Sequence, residues 1–493
     1  MIVFNRLKKT IYHLFILVLA YYTKPTAVTM NLLYQAVQDL GGVYVKFMQF
    51  LCLRLEMFDD DVKIQFVKLY DQVDQEEMDV EEILFQELGE KRQLLKEVEK
   101  TPFATGSFAQ VYKAKLQDGR SVVVKVRRAD QHQKVTFDFF LMTIVCRVIL
   151  LLFDFEQLDL LQLFKEFKKT TFQELEYKLE LQHAQYFFEQ YRNHPQIVIP
   201  ETFAELCTNN VLVQEYVQGI PLTQVITWKQ QRTDYHTFLE EQYGINLEMV
   251  FFSIATEVIR QHLTFDKFYG DSHPGNIILL PQNKFAFIDF GILDQTASDK
   301  KEYFTLMKTL GQPIEQLNEE SMSQQFLKLG ARSLYQSLEV IEKSLGQTEQ
   351  SSKLTDLIKA EYAQLIADCK DSLISQELEK REDLTGLVMQ IAELGKKFQI
   401  QMPTGFFNVI RSSTMFKSFT SYLAPDYHYM RQVYRELAAE YEHVPLSEKR
   451  QPRKFSFEES VETVMDWLSS IAEADLPLYL QIHGILEGKN YAK

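Results

Sequence analysis

Cysteine is scarce: four in 493 residues, at Cys52, Cys146, Cys207 and Cys369, with no CxxC spacing. That argues against a disulfide framework or a clustered zinc site and fits a reducing, cytoplasmic setting. Basic residues are outnumbered, 53 against 68 acidic, for a net charge of −15. No nucleic-acid partner is expected, because such a surface must neutralise phosphates. No apolar run reaches the ~18 uncharged residues of a standard membrane-spanning helix. Internal repeats are absent, and residues 1–30 contain no acid at all. What is present is a globular composition, 46% hydrophobic and 25% charged, on a chain long enough for two or three packed units.

Two segments come closest to a membrane. Ile11 to Tyr22 (IYHLFILVLAYY) follows Arg6, Lys8 and Lys9. No small-residue cleavage site follows it, so a signal peptide is a poor fit. Two readings stay open: an interfacial helix on an anionic membrane, giving N-terminal anchoring, or a helix on the protein's own core. Phe137 to Phe155 is interrupted by Asp138, Arg147 and Asp154. It reads as a buried or membrane-touching helix rather than a span.

Hydrophobic periodicity reads as helical over 1–100, strand-like over 101–128, helical over 135–192, and mostly helical from about residue 296. Strand-like runs recur at Ile197–Pro200, Val211–Val217 and Phe285–Ile288. Val444–Phe455 (VPLSEKRQPRKF) looks like a linker. The expected divisions are a basic, apolar segment 1–34, a helical extension 35–100, a small mixed lobe 101–217 with a helical insert, a helical lobe 218–440, and a linker with a short helical piece, 441–493.

Ala109–Leu116 and Arg120–Val126 read as paired strands around an Asp118-Gly119 turn. Ahead of them lies Ala104-Thr105-Gly106-Ser107, small residues that let backbone N–H groups approach phosphate oxygens. A hairpin carrying such a loop is how kinases cover ATP. Lys125, in Val-Val-Lys-Val, has the setting of the lysine that meets nucleotide phosphates. Any hairpin can contain glycine and lysine, so this segment alone leaves an ordinary hairpin open.

The deciding segment is Tyr269-Gly-Asp-Ser-His-Pro-Gly-Asn276, then an apolar run, then Asp289-Phe290-Gly291. Asp271 and Asn276 stand five positions apart, as in a kinase catalytic loop, where the aspartate orients the acceptor and the asparagine holds metal. Asp289 would be the second magnesium ligand. Phosphoryl transfer requires several anionic oxygens to be neutralised, and oxygen ligands on a hard cation do that. Between the two segments, Glu215, Tyr216 and Val217 are candidates for the backbone that meets the adenine edge. The expected fold is α+β and protein-kinase-like, bilobal, with a small mixed N-lobe, a large helical C-lobe and a helical extension in front.

Kinases pair the strand lysine with a helical glutamate. Glu176 and Glu180 are four positions apart and would share one helix face, with a cation needed to relieve their repulsion. A solvated acidic face is the alternative.

These residues resemble the UbiB/AarF family of atypical kinases over roughly residues 35–435. The family's KxGQ signature corresponds to Lys46-Phe-Met-Gln49, with Met48 for glycine. Its alanine-rich loop corresponds to Ala104–Ser107, with Gly106 for alanine. Its ExD motif corresponds to Glu174-Leu-Glu176, and Glu180 to the glutamate paired with the lysine. Tyr269 replaces the loop histidine. Met402–Arg411 and Leu423–Asp426 resemble a late family region. The resemblance implies a magnesium- and ATP-dependent enzyme, peripheral on the inner face of a membrane. Its expected setting is isoprenoid quinone biosynthesis or lipid homeostasis, with an isoprenoid lipid or quinone-biosynthesis proteins as partners. It also implies that Lys46, Gln49, Glu174 and Glu176 are regulatory, the KxGQ helix covering the place where kinases take a peptide. Two other readings compete: a small-molecule phosphotransferase of the aminoglycoside-kinase type, and a non-catalytic nucleotide-binding scaffold.

Overall fold

In the computed structural model, residues 2–54 except 25, 78–152 except 107 and 128–130, and 160–313 except 233, 271 and 296–299 are described. So are most of 419–444 and isolated positions between 316 and 465. They form two compact units. The first takes in Met1–Gly219 and Ala286–Ile292; the second takes in Ile220–Phe285 and Leu293–Lys493.

The first unit begins with helices α1 (Ile2–Thr23), α2 (Thr26–Leu40) and α3 (Val43–Arg54). Helix α4 (Val80–Leu88) starts at Asp79, whose side chain accepts from the Glu82 amide, and stops at Gly89. Strand β1 (Leu95–Val98) follows. The helical expectation for residues 1–100 is therefore corrected here. Leu95 is buried in the apolar cluster under the sheet, and Val98 packs against it, which outweighs the local pattern. Strands β2 (Ala104–Thr105), β3 (Ala109–Leu116) and β4 (Ser121–Arg127) come next. Gly119, at φ +91°, makes the β3–β4 turn that a side chain would strain.

Helices α5 (Gln131–Leu152), α6 (Leu160–Glu174) and α7 (Tyr177–Tyr191) precede the short strand β5 (Ile197–Val198) and β6 (Val211–Glu215). The main sheet runs β1-β3-β4-β6, with β2 against β3, all antiparallel. Register fixes its two faces. Val122, Val124, Val126, Val211 and Val213 form one face, packed with Leu84 and Leu88 of α4. Lys125 stands opposite Val111 and Leu212, and Val123 opposite Lys113, so these occupy the other face.

Helix α1 settles part of its own ambiguity. Arg6 clamps Asp138 of α5, a buried acid, and Lys9 bonds Asp39 of α2 at 2.7 Å. Arg6 thus serves the protein's own core. Yet Ile11, Phe15, Leu19 and Tyr22 are at least half exposed, and their spacing places them on one side of the helix. Helix α5 likewise exposes Phe140 and Ile144. Among the described residues no helix is long and apolar enough to cross a membrane.

The second unit holds β7 (Ile220–Pro221), α8 (Leu222–Gln231), α9 (Tyr235–Tyr243), α10 (Leu247–Thr264), β8 (Lys267–Tyr269) and β9 (Ile277–Leu280). Strand β10 (Lys284–Phe287) leads into Ala286–Ile292; β11 (Leu293–Gln295), α11 (Lys300–Leu310) and α12 (Met430–Tyr441) follow. Asn246 caps α10, accepting from the Met249 amide at 3.0 Å. That helix buries Val250, Phe251, Ile254, Val258 and Ile259 and is the unit's central pillar.

Candidate functional site

In the first unit, β4 sits between two partners and delivers Lys125 to the face of the sheet opposite the valine cluster. Its ammonium donates to Glu180 Oε1 at 2.6 Å and to Asp289 Oδ2 at 3.1 Å. Burial works against the charge, but Asp289 and Glu180 outweigh it and hold Lys125 protonated above its ordinary value. Burial also pushes the Glu180 carboxyl up, to about 7, against the pull of Lys125. Asp289 goes the other way. Its burial is more than offset by Lys125 and the Gly291 amide, so it stays an ionised carboxylate below the usual range.

Helix α7 builds most of this arrangement from one face. Glu180 lies in its first turn and is almost fully buried. One turn on, His183 Nδ1 donates to the carbonyl of Phe290 at 3.0 Å. A further turn on, Phe187 meets the buried ring of Phe290, centroids 5.6 Å apart. The backbone N–H of Phe290 also hydrogen-bonds Glu180. The segment carrying Asp289 is thereby pinned to the helix carrying Glu180. Neither His183 nor Phe187 stood out in the sequence, although the spacing 180/183/187 is that of one helix face.

Gly291 completes the turn, its amide donating to Asp289 Oδ1 at 2.9 Å. A Cβ there would stand 3.2 Å from that oxygen and 3.8 Å from Glu174. Glu174, ending α6, receives the ammonium of Lys46 from α3, which also lies 4.7 Å over the Phe108 ring. The charge of Lys46 reaches Asp289 and helps hold it ionised. Met48 is buried among Phe47, Phe139, Phe164 and Phe167, so α3 uses a side chain there as core.

Glu176 departs from the expectation. It is the exposed residue just before α7, φ −102°, not a member of its helical face. The Lys125 charge is shared by Glu180 and Asp289, and Glu176 faces solvent. Gln49 lies within α3, its side chain outside the described residues. Ala104 and Thr105 form β2 against Val111 and Gln110, and the Gly106 amide donates to the Ala109 carbonyl at 2.8 Å. Ser107 lies outside the described residues. Glu215 ends β6, and the Tyr216 amide donates to the Ser121 carbonyl at 3.0 Å, with Val217 half-buried behind it.

In the second unit, the loop from Tyr269 to Asn276 is fixed at both ends. Tyr269 is fully buried, pairs with Leu293, and donates its amide to Gln261 Oε1 at 2.7 Å. His273 Nδ1 accepts from the Gly275 amide at 3.1 Å, and the Asn276 amide donates to the His273 carbonyl at 2.9 Å. Asn276 is half-buried at the head of β9. Asp271 and the late region 402–411 lie outside the described residues.

Residues 68–323, just over half of the chain, match the family model of the ABC1 atypical kinase-like domain. The chain belongs to the ABC1 atypical kinase-like family. Within this family it is similar to a probable protein kinase UbiB of Pseudomonas paraeruginosa, 30% identical over 276 residues. That match covers 54% of this chain and 49% of the relative. It is also similar to the Arabidopsis thaliana protein ACTIVITY OF BC1 COMPLEX KINASE 3, chloroplastic, 33% identical over 201 residues, covering 41% and 27% of the two chains. The chain spans about half the length of the UbiB relative it matches. A solved complex of Rv3197 with erythromycin from Mycobacterium tuberculosis is similar at a TM-score of 0.42 and 23% identity, covering 61% of this chain and 72% of that one. The kinase-like α+β fold expected from the motifs is that of this ABC1-family chain.

Proposed function

We propose that this chain is a magnesium-dependent ATPase or kinase of the phosphoryl-transfer class. The observation that carries the reading is the shared ammonium of Lys125, set between Glu180 and an ionised Asp289. A buried cation held this way is a point charge for phosphate oxygens. Asp289 and Asn276 are the hard oxygen donors that would hold magnesium, which supplies charge neutralisation to the phosphates. The fit is supported by Asp289: it stays ionised, and its Oδ2 faces Lys125 while Oδ1 is oriented by Gly291. Ala104, Thr105, Gly106 and Ser107 would cover the phosphates, and Glu215, Tyr216 and Val217 would meet the base. Asp271 would orient the acceptor oxygen and take its proton as the γ-phosphoryl group moves to it and ADP departs.

Lys46 and Glu174 tie α3 to the turn beside Asp289, and with Gln49 and Glu176 they would form the regulatory layer of this reading. Quinone biosynthesis or lipid homeostasis is the proposed setting, on the cytoplasmic face of a membrane. The exposed row Ile11, Phe15, Leu19 and Tyr22 supports the membrane part, with exposed Lys8 and Lys24 at its two ends. The direct test is ATP turnover by purified protein with and without anionic vesicles. Asp289→Asn should abolish turnover; an unchanged rate would overturn the assignment.

A further inference from the structure

The face of the main sheet that carries Lys125 has a second feature. Lys113 lies two positions from Val111, the cross-strand neighbour of Lys125, and therefore on the same face. Tyr216 follows Gln214 by two positions, and Gln214 pairs with Val123 on that face. Phe103 immediately precedes the small-residue run Ala104–Gly106, its amide donating to the Val111 carbonyl at 2.7 Å. The three side chains meet. The Lys113 ammonium lies 4.4 Å over the Phe103 ring and 4.8 Å over the Tyr216 ring. The two rings stand edge to face, centroids 6.0 Å apart.

Lys113 makes no salt bridge among the described residues, so its charge is spent on the two rings. A cation between two rings fixes both of them. Phe103 nevertheless keeps 51% of its surface exposed. The result is an oriented, half-bare aromatic ring joining the phosphate-loop arm to the segment after β6, on the side of the sheet where Lys125 waits for phosphates.

We infer that Phe103, held in place by Lys113 and Tyr216, is the platform on which the purine base of the bound nucleotide stacks. This rests on the ATP reading of Lys125. The platform adds what the phosphate contacts lack, a preference for a nucleoside triphosphate over bare polyphosphate, since a base has a π-face to offer and phosphate has none.

The test compares two probes, Mg-ATP and magnesium tripolyphosphate, on the full chain by calorimetric titration. Phe103→Ala should weaken Mg-ATP at least about tenfold and leave tripolyphosphate within about twofold. Lys113→Met should shift Mg-ATP in the same direction by less, and Phe103→Tyr should restore it. Phe103→Trp gives an independent readout, an emission that ATP quenches and tripolyphosphate does not. Unchanged ATP binding in Phe103→Ala overturns the platform while leaving the phosphate site standing. Equal loss of both probes makes Phe103 a structural residue and also overturns it. If the unaltered protein binds neither probe, the nucleotide reading fails first and takes this inference with it.

Discussion

Lys125 is shared by two carboxylates, so its removal strands a buried acid. Glu180, whose side chain is only 4% exposed, would be left with the Phe290 amide but no counter-charge. Lys125→Met should destabilise the protein by about 3–5 kcal/mol. Adding Glu180→Leu should recover part of that loss, because the uncompensated charge goes with it. Urea unfolding of the single and double variants measures both. At Gly106 the reverse holds. A Cβ there would meet the Ala109 carbonyl at 3.7 Å, an ordinary contact, and φ is not left-handed. Gly106→Ala should stay within about 0.5 kcal/mol of the parent by the same assay. The hairpin lysine and the acids at 176 and 180 each had local signatures, but it was the family resemblance that singled out Glu180 as the partner of Lys125, which the structure pairs at 2.6 Å. The bond from Arg6 to Asp138 was not legible in the sequence. Its partners lie 132 residues apart, and neither segment contains a sign of the other.

Among elements, α7 does more than its sequence announces. The acids at 176 and 180 drew attention, but backbone geometry separates them: the helix starts at Tyr177 and leaves Glu176 outside. Its working face is 180, 183 and 187. Histidine and phenylalanine at helical spacing look like ordinary core, and only the long-range bond to Phe290 gives them a role at the site. Helix α11 shows a similar limit. Gly311 follows it, and a Cβ there would stand 3.0 Å from the Arg435 amide nitrogen of α12. Backbone cannot yield as a flexible side chain can, so Gly311→Ala should cost about 1–3 kcal/mol in thermal or urea unfolding. For α1, replacing Ile11, Phe15 and Leu19 by serine should cut co-sedimentation with anionic vesicles at least tenfold, each buried side chain being worth about 1.5–3 kcal/mol. The hairpin β3–β4 was readable because alternation and an Asp-Gly turn agree locally. Strand β1 was not, since four residues flanked by charge show no period.

At the scale of the whole molecule, two titrations with opposite origins weaken the fold toward acid, against the opposing drift of Glu180, whose raised carboxyl takes up a proton on folding. His262, fully buried against Phe268 and Tyr303, has neither ring nitrogen bonded among the described residues. Burial, helped by the nearby Lys300 charge, pulls it from 6.5 down to about 3. Below about pH 6.5 the unfolded chain gains a proton that the folded chain refuses, so stability falls as pH drops, by up to about 1.4 kcal/mol per pH unit. Relative to the parent, His262→Phe should gain stability progressively as pH falls from about 6.5 toward 3, in urea unfolding followed against pH. Asp289, held below its ordinary 3.8 by Lys125 against its burial, adds a further loss below about pH 3.8 as its carboxylate is protonated. The central claim is that Lys125 and Asp289 serve a triphosphate and its cation together. The measurement that tests it most directly is the affinity for ATP as a function of magnesium, in the parent and in Asp289→Asn. The parent should bind ATP at least tenfold tighter with magnesium than with chelator, and Asp289→Asn should erase that difference. An ATP affinity indifferent to magnesium in the parent, or a magnesium effect that survives in Asp289→Asn, would contradict it.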